Sequence, residues 1–88
     1  MNHIELKQIL TDGGIRLTEA SHIFRVAQTT VIRWLNGVQA KQVMTYEIAC
    51  KYAELIKRAT EQGLLPVKDV KGKARLVAIK AAIRTAAN

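Results

Sequence analysis

Apolar residues in this chain recur at intervals of three and four and seldom at two, a spacing that lines them along one side of a helix. That periodicity predicts an all-α fold. A first helix from about Asn2 to Leu10 places Leu6, Ile9 and Leu10 on one side, and Asp12-Gly13-Gly14 stops it in a turn. A second starts at Thr18, whose hydroxyl suits an N-cap, with Glu19 in the first turn, and buries Ala20, Ile23 and Phe24. After Arg25-Val26-Ala27 a third, from about Gln28 to Asn36, buries Val31, Trp34 and Leu35 and ends at Asn36-Gly37.

The fourth helix is the longest, from Val43 or Thr45 to Gln62, with Ile48, Tyr52, Leu55 and Ala59 in one stripe and Gly63 and Pro66 as stop signals. Glu47 with Lys51 and Glu54 with Arg58 are four apart with the acid first, the order that supports a helix. Val67 to Lys73 reads as a linker with room for one short extended stretch. A fifth helix from about Ala74 to Ala86 carries a thin stripe of Leu76, Ile79 and Ile83, which needs cover from the domain or from a second copy of the chain.

A length of 88 residues allows one small core, which dimerisation would help. Apolar residues are 49% and charged residues 24% of the chain, the balance of a globular domain. Fourteen Lys and Arg against seven Asp and Glu give a net charge of +7 and favour a polyanionic partner. The charge is concentrated late: Lys68 to Asn88 carries six cations and only Asp69. A lone cysteine, Cys50, forms no internal disulfide, and no stretch approaches the roughly 20 apolar residues of a membrane span. With no signal-like start at Met1 to Glu5, a soluble, cytoplasmic protein is expected.

Residues 17 to 36 satisfy the demands of a helix-turn-helix: small Ala20 and Ser21 where the helices cross, Phe24 and Val26 at the turn, and Val31 with Trp34 or Leu35 facing inward. The stretch Leu17-Thr18-Glu19-Ala20, followed by Val26-Ala27-Gln28-Thr29-Thr30-Val31-Ile32-Arg33-Trp34-Leu35-Asn36-Gly37, resembles the two helices of small phage and mobile-element regulators of the Cro, CII and excisionase kind. Leu6 to Leu10 and Gly13-Gly14 are similar to their opening helix and turn, so the resemblance spans roughly the first 40 residues. Two departures stand out. Arg25 takes the place where these families usually carry glycine, and a left-handed backbone there costs Arg about 1 kcal/mol. No wing of strands follows Asn36-Gly37, which favours the Cro or CII type.

On this reading residues 1–66 form a helix-turn-helix DNA-binding domain, and 67–88 a basic segment that contacts DNA or mediates dimerisation. The third helix would lie in the major groove, leaving Gln28, Thr29, Thr30, Ile32, Arg33 and Asn36 outward. Thr18 and Lys41 complete the expected contact set, with Gln28 suited to adenine and Arg33 to guanine or phosphate. Lys68, Lys71, Lys73, Arg75, Lys80 and Arg84 would neutralise phosphates. Candidate dimer surfaces are Tyr46, Tyr52 or Ile56 on the fourth helix and Leu76, Ile79 and Ile83 on the fifth.

Other tempting residues read as structural. Trp34 shares a face with Val31, Cys50 lies beside an apolar stripe, and His3 and His22 lack further ligands at metal spacing. Asp12-Gly13-Gly14 lacks the Gly-Lys-Ser/Thr ending of a phosphate loop, and nothing completes a catalytic set around Ser21 and His22. No enzyme, metal, cofactor or small-molecule ligand is expected. The expected function is a sequence-specific binder of double-stranded DNA that regulates transcription, as a repressor from a phage, plasmid or integrated element, acting as a homodimer or cooperative oligomer on DNA. The alternatives are an excisionase or recombination directionality factor, and a protein-interaction module such as an antitoxin or adaptor.

Overall fold

The computed structural model covers Met1–Asn88 and contains five α-helices and no strand: α1 (His3–Asp12), α2 (Leu17–Phe24), α3 (Gln28–Leu35), α4 (Val43–Glu61) and α5 (Lys73–Ala87). Asn2 caps α1, its side chain accepting from the Glu5 amide at 2.8 Å. No helix is long and apolar enough to cross a membrane.

One core draws on all five helices, together with Ile15 and Leu65 from the turns. Helix α4 is its axis, packed by α1 on one flank and by α5 and α2 on the other. The buried line of α4 is Ala49, Ala53, Ile56 and Ala59. This line is one residue on from the expected stripe, which turns the helix by about 100°. Only Ala59 of that stripe is fully buried, and Ile48 is 46% exposed. The alanines let the neighbouring helices approach α4 closely, a role that a search for large apolar side chains overlooks.

Helix α5 returns the same economy with Ile79, Ala82, Ile83 and Ala86. The thin stripe of this helix is thus covered by the domain itself. Ile56, Ile79 and Ile83 lie inside the core, so they are unavailable to a second copy. The Arg58 guanidinium donates to Ala86 O at 3.3 Å and satisfies a carbonyl at the end of α5. Arg58 therefore does not pair with Glu54, nor does Lys51 pair with Glu47: Arg75–Glu19 is the one ion pair in the chain. Between α4 and α5 the linker forms no extended stretch; Asp69 adopts a left-handed backbone at φ 60°.

Candidate nucleic-acid interface

The N-cap of α2 lies two residues earlier than its sequence suggests. It is Arg16, whose amide donates to Glu19 Oε1 at 2.8 Å, and Thr18 is the exposed second residue of the helix. Glu19 thus stands three residues past the cap, where a carboxylate can reach back to the free amide. Its other oxygen accepts from Arg75 Nε at 2.6 Å, and Arg75 also donates to the Gly14 carbonyl. The two side chains are only 10% and 13% exposed, so this bond ties α5 to the entrance of α2. Arg75 is consequently spent inside the protein and does not belong with the cations expected to touch phosphate.

Helix α2 ends at Arg25, whose φ of 58° and ψ of 45° are left-handed, while Val26 N donates to Ser21 O at 3.1 Å. The turn geometry usually served by glycine is therefore kept, with arginine in its place. Three residues later α3 starts, and α2 holds it through Ala20, Ile23, Phe24, Val31 and Trp34, all buried. Trp34 sits 6.5 Å from the Phe24 ring and 5.2 Å, edge-on, from Tyr46. It is core, as its spacing predicts. Burial raises the Tyr46 phenol above its usual range and Cys50 and Glu5 push the same way, leaving a neutral hydroxyl that donates to Met1 O at 3.3 Å.

With Val31 and Trp34 inward, helix geometry spreads Gln28, Thr29, Ile32, Arg33 and Asn36 over an arc of about 140° on the other side. All five are exposed. Thr30 lies at the edge of the arc, half-buried, and lines a groove of about 380 Å³ with Arg33 and Lys41. Seven of the eight expected contact residues thus fall on or beside α3, whereas Thr18 stands apart on α2. None of the eight side chains makes a hydrogen bond or ion pair within the protein. No side chain caps α3 either, so its first amides are also free. A Schellman turn closes its far end: Val38 N donates to Arg33 O at 2.9 Å and Gly37 N to Trp34 O at 3.1 Å, with Gly37 at φ 82°. The His3 ring lies 3.1 Å from where a Gly37 Cβ would stand, but His3 is exposed and can move aside, so glycine serves the positive φ there.

The electrostatics of this surface has a cause that residue-by-residue reading missed. Between Gly13 and Tyr46 the chain has one carboxylate, Glu19, and that one is buried and paired. The exposed charges of this stretch are all positive: Arg16, Arg25, Arg33 and Lys41. The gap in Asp and Glu was readable as a run in the sequence and singles out Arg16 and Arg25 as additional surface cations. Elsewhere, no three His, Cys, Asp or Glu side chains are grouped to hold a metal ion. Compared with known proteins, the chain is matched by no family model, no curated protein and no solved structure.

Proposed function

We propose that this chain binds double-stranded DNA in a sequence-specific way through the exposed face of α3 and regulates transcription as a repressor of a phage, plasmid or other mobile element. One observation carries the reading: an arc of unspent polar side chains on a short helix, set in a stretch whose surface bears cations and no carboxylate. A helix of roughly 10 to 12 Å diameter fits a major groove about 12 Å wide. There Gln28 offers the paired donor and acceptor that match adenine, Arg33 the fork that matches guanine, and Asn36 a second amide. Thr29 and the apolar Ile32 suit phosphate and thymine methyl. Lys41, Arg16 and Arg25 neutralise phosphates without reading bases. Occupancy of such a site blocks other proteins from the same DNA.

Selection of bound duplexes from a random library, followed by titration at several salt concentrations, tests the reading. Gln28→Ala and Arg33→Ala should each weaken binding to the selected site by about 1 to 3 kcal/mol. Circular dichroism should be unchanged, because neither side chain touches the core. Failure to enrich any sequence, or unchanged affinity in both variants, removes α3 as the reading helix. An excisionase would in addition bend its site, which a circular-permutation gel assay reports. A specific observation favours a second reading, a protein-interaction module: Val43, Met44 and Ile48 are exposed side by side on the first turns of α4. Absence of salt-sensitive DNA binding selects it.

A further inference from the structure

Two clefts flank α4, and they carry opposite charge. The first lies between α2, α4 and α5 and has a volume of about 420 Å³. Ile23, Leu55 and Ile83 line its floor, and His22, Arg25, Lys80 and Arg84 its rim, with no carboxylate among its residues. Arg25, Lys80 and Arg84 are exposed and bond to nothing in the chain. Like charges gathered around one cleft repel, a cost that an anionic occupant removes. The apolar floor adds a second requirement, since a bare phosphate leaves it uncovered.

The second cleft lies between α1 and α4 and is lined by Glu5, Asp12 and Glu61, with Lys57 the single cation among them. These carboxylates form an acidic ridge confined to the α1–α4 cleft, since farther back along α4 Glu47 and Glu54 are interleaved with Lys51 and Arg58. Ile4, 67% exposed, stands one turn ahead of Gln8 on the α1 side of the ridge. The ridge therefore offers both things the basic cleft calls for, carboxylates for its rim and an apolar side chain to cover its floor. Leu55 and Lys57, one in each cleft, are about 200° apart around the helix, so the clefts face away from each other. One molecule cannot join its own two faces.

We propose that copies of this chain associate head to tail, the acidic α1–α4 ridge of one molecule seated in the basic α2–α4–α5 cleft of the next. The two patches are different surfaces, so the contact is heterologous, and each contact leaves one ridge and one cleft free for further copies. Neither cleft includes a residue of α3. Association therefore proceeds without DNA and leaves the α3 face open along the assembly, with Arg25 the one proposed phosphate contact that the ridge covers.

Sedimentation velocity of the full chain without DNA tests this. At low salt the species should grow with concentration beyond a dimer, and raising the salt should return it to monomer, because exposed charges are screened. Lys80→Gln with Arg84→Gln removes the cleft charge, and Asp12→Asn with Glu61→Gln that of the ridge. Each double variant alone should associate at least about tenfold more weakly. Mixed together, they should form a 1:1 dimer and nothing larger, since only one productive contact remains. Circular dichroism checks that both variants are folded, and Arg33→Ala, which impairs only the DNA reading, should associate like the parent chain. A chain that stays monomeric at low salt overturns the proposal. So does a dimer that stops at two copies, survives both double variants and is lost in Met44→Ser with Ile48→Ser, because that result assigns association to the apolar start of α4.

Discussion

The turns on either side of α2 end their preceding helices alike. Ile15 N donates to Leu10 O at 2.8 Å before α2, and Val26 N to Ser21 O at 3.1 Å after it, each across a left-handed residue. In the first turn that residue is Gly14 at φ 66°, and a Cβ there would lie 2.6 Å from the Pro66 Cβ. In the second it is Arg25 at φ 58°, with its side chain in solvent at the rim of the basic cleft. The first turn is also held from outside by Arg75, whereas no side-chain hydrogen bond reaches the second. One turn is closed by packing and admits no side chain. The other is open, and the chain accepts backbone strain there in exchange for a cation.

The sharpest way to break this contrast is to release the first turn. Glu19→Ala leaves the Arg75 guanidinium buried without a counter-charge and frees the Arg16 amide, so it should destabilise the protein by about 3 to 5 kcal/mol. A domain of this size has little more than that to lose. Urea denaturation followed by circular dichroism measures the effect. A loss below about 1 kcal/mol would mean that water replaces the pair at little cost and that apolar packing alone places α5.

Gly14→Ala attacks the same turn from within. The left-handed backbone costs alanine about 1 to 2 kcal/mol, and moving Pro66 out of its way adds about 1 to 3 kcal/mol of overpacking. The expected loss of about 2 to 5 kcal/mol should appear as a lower denaturation midpoint with an unchanged slope. Equal losses for Gly14→Ala and for Ala at position 25 would erase the distinction between a closed and an open turn.

Much of this arrangement is legible in the sequence, and what is not has identifiable causes. Leu6, Ile9, Val31 and Trp34 announce their helices because large apolar side chains at helical spacing have one use in a chain this short. The same rule, applied in reverse, exposes Gln28, Thr29, Arg33 and Asn36 together. On α4 it points to the wrong line, since Ala49 and Ala53 carry a weak apolar signal yet sit where helices cross. Thr18 is the better capping residue by type, but the Ile15 amide bond to Leu10 O closes the preceding turn early and Glu19 fixes Arg16 as the cap. The partnership of Glu19 with Arg75, 56 residues away, leaves no local trace. The clefts are equally hidden, because each is assembled from two or three helices.

Arg25→Gly carries the smallest effect and separates strain from charge. Glycine reaches φ near 60° without the Cβ penalty, which stabilises the folded chain by about 1 kcal/mol. It also gives the unfolded chain more freedom, and that entropy offsets about 0.4 to 1 kcal/mol. The net gain should therefore lie between zero and about 0.6 kcal/mol, read as a small rise in the denaturation midpoint. Removing the cation should act in the opposite direction on function: DNA affinity at low salt falls and the slope of log affinity against log salt flattens by about 0.9 if Arg25 meets one phosphate. Arg25→Ala is the companion that decides between the causes, since it removes the same charge but keeps the Cβ. Both variants should lose the same DNA affinity, while only glycine relieves the backbone. If alanine proves as stable as glycine, the turn shifts out of the left-handed region once the arginine is gone, and Arg25 itself holds the conformation that opens α3 to solvent.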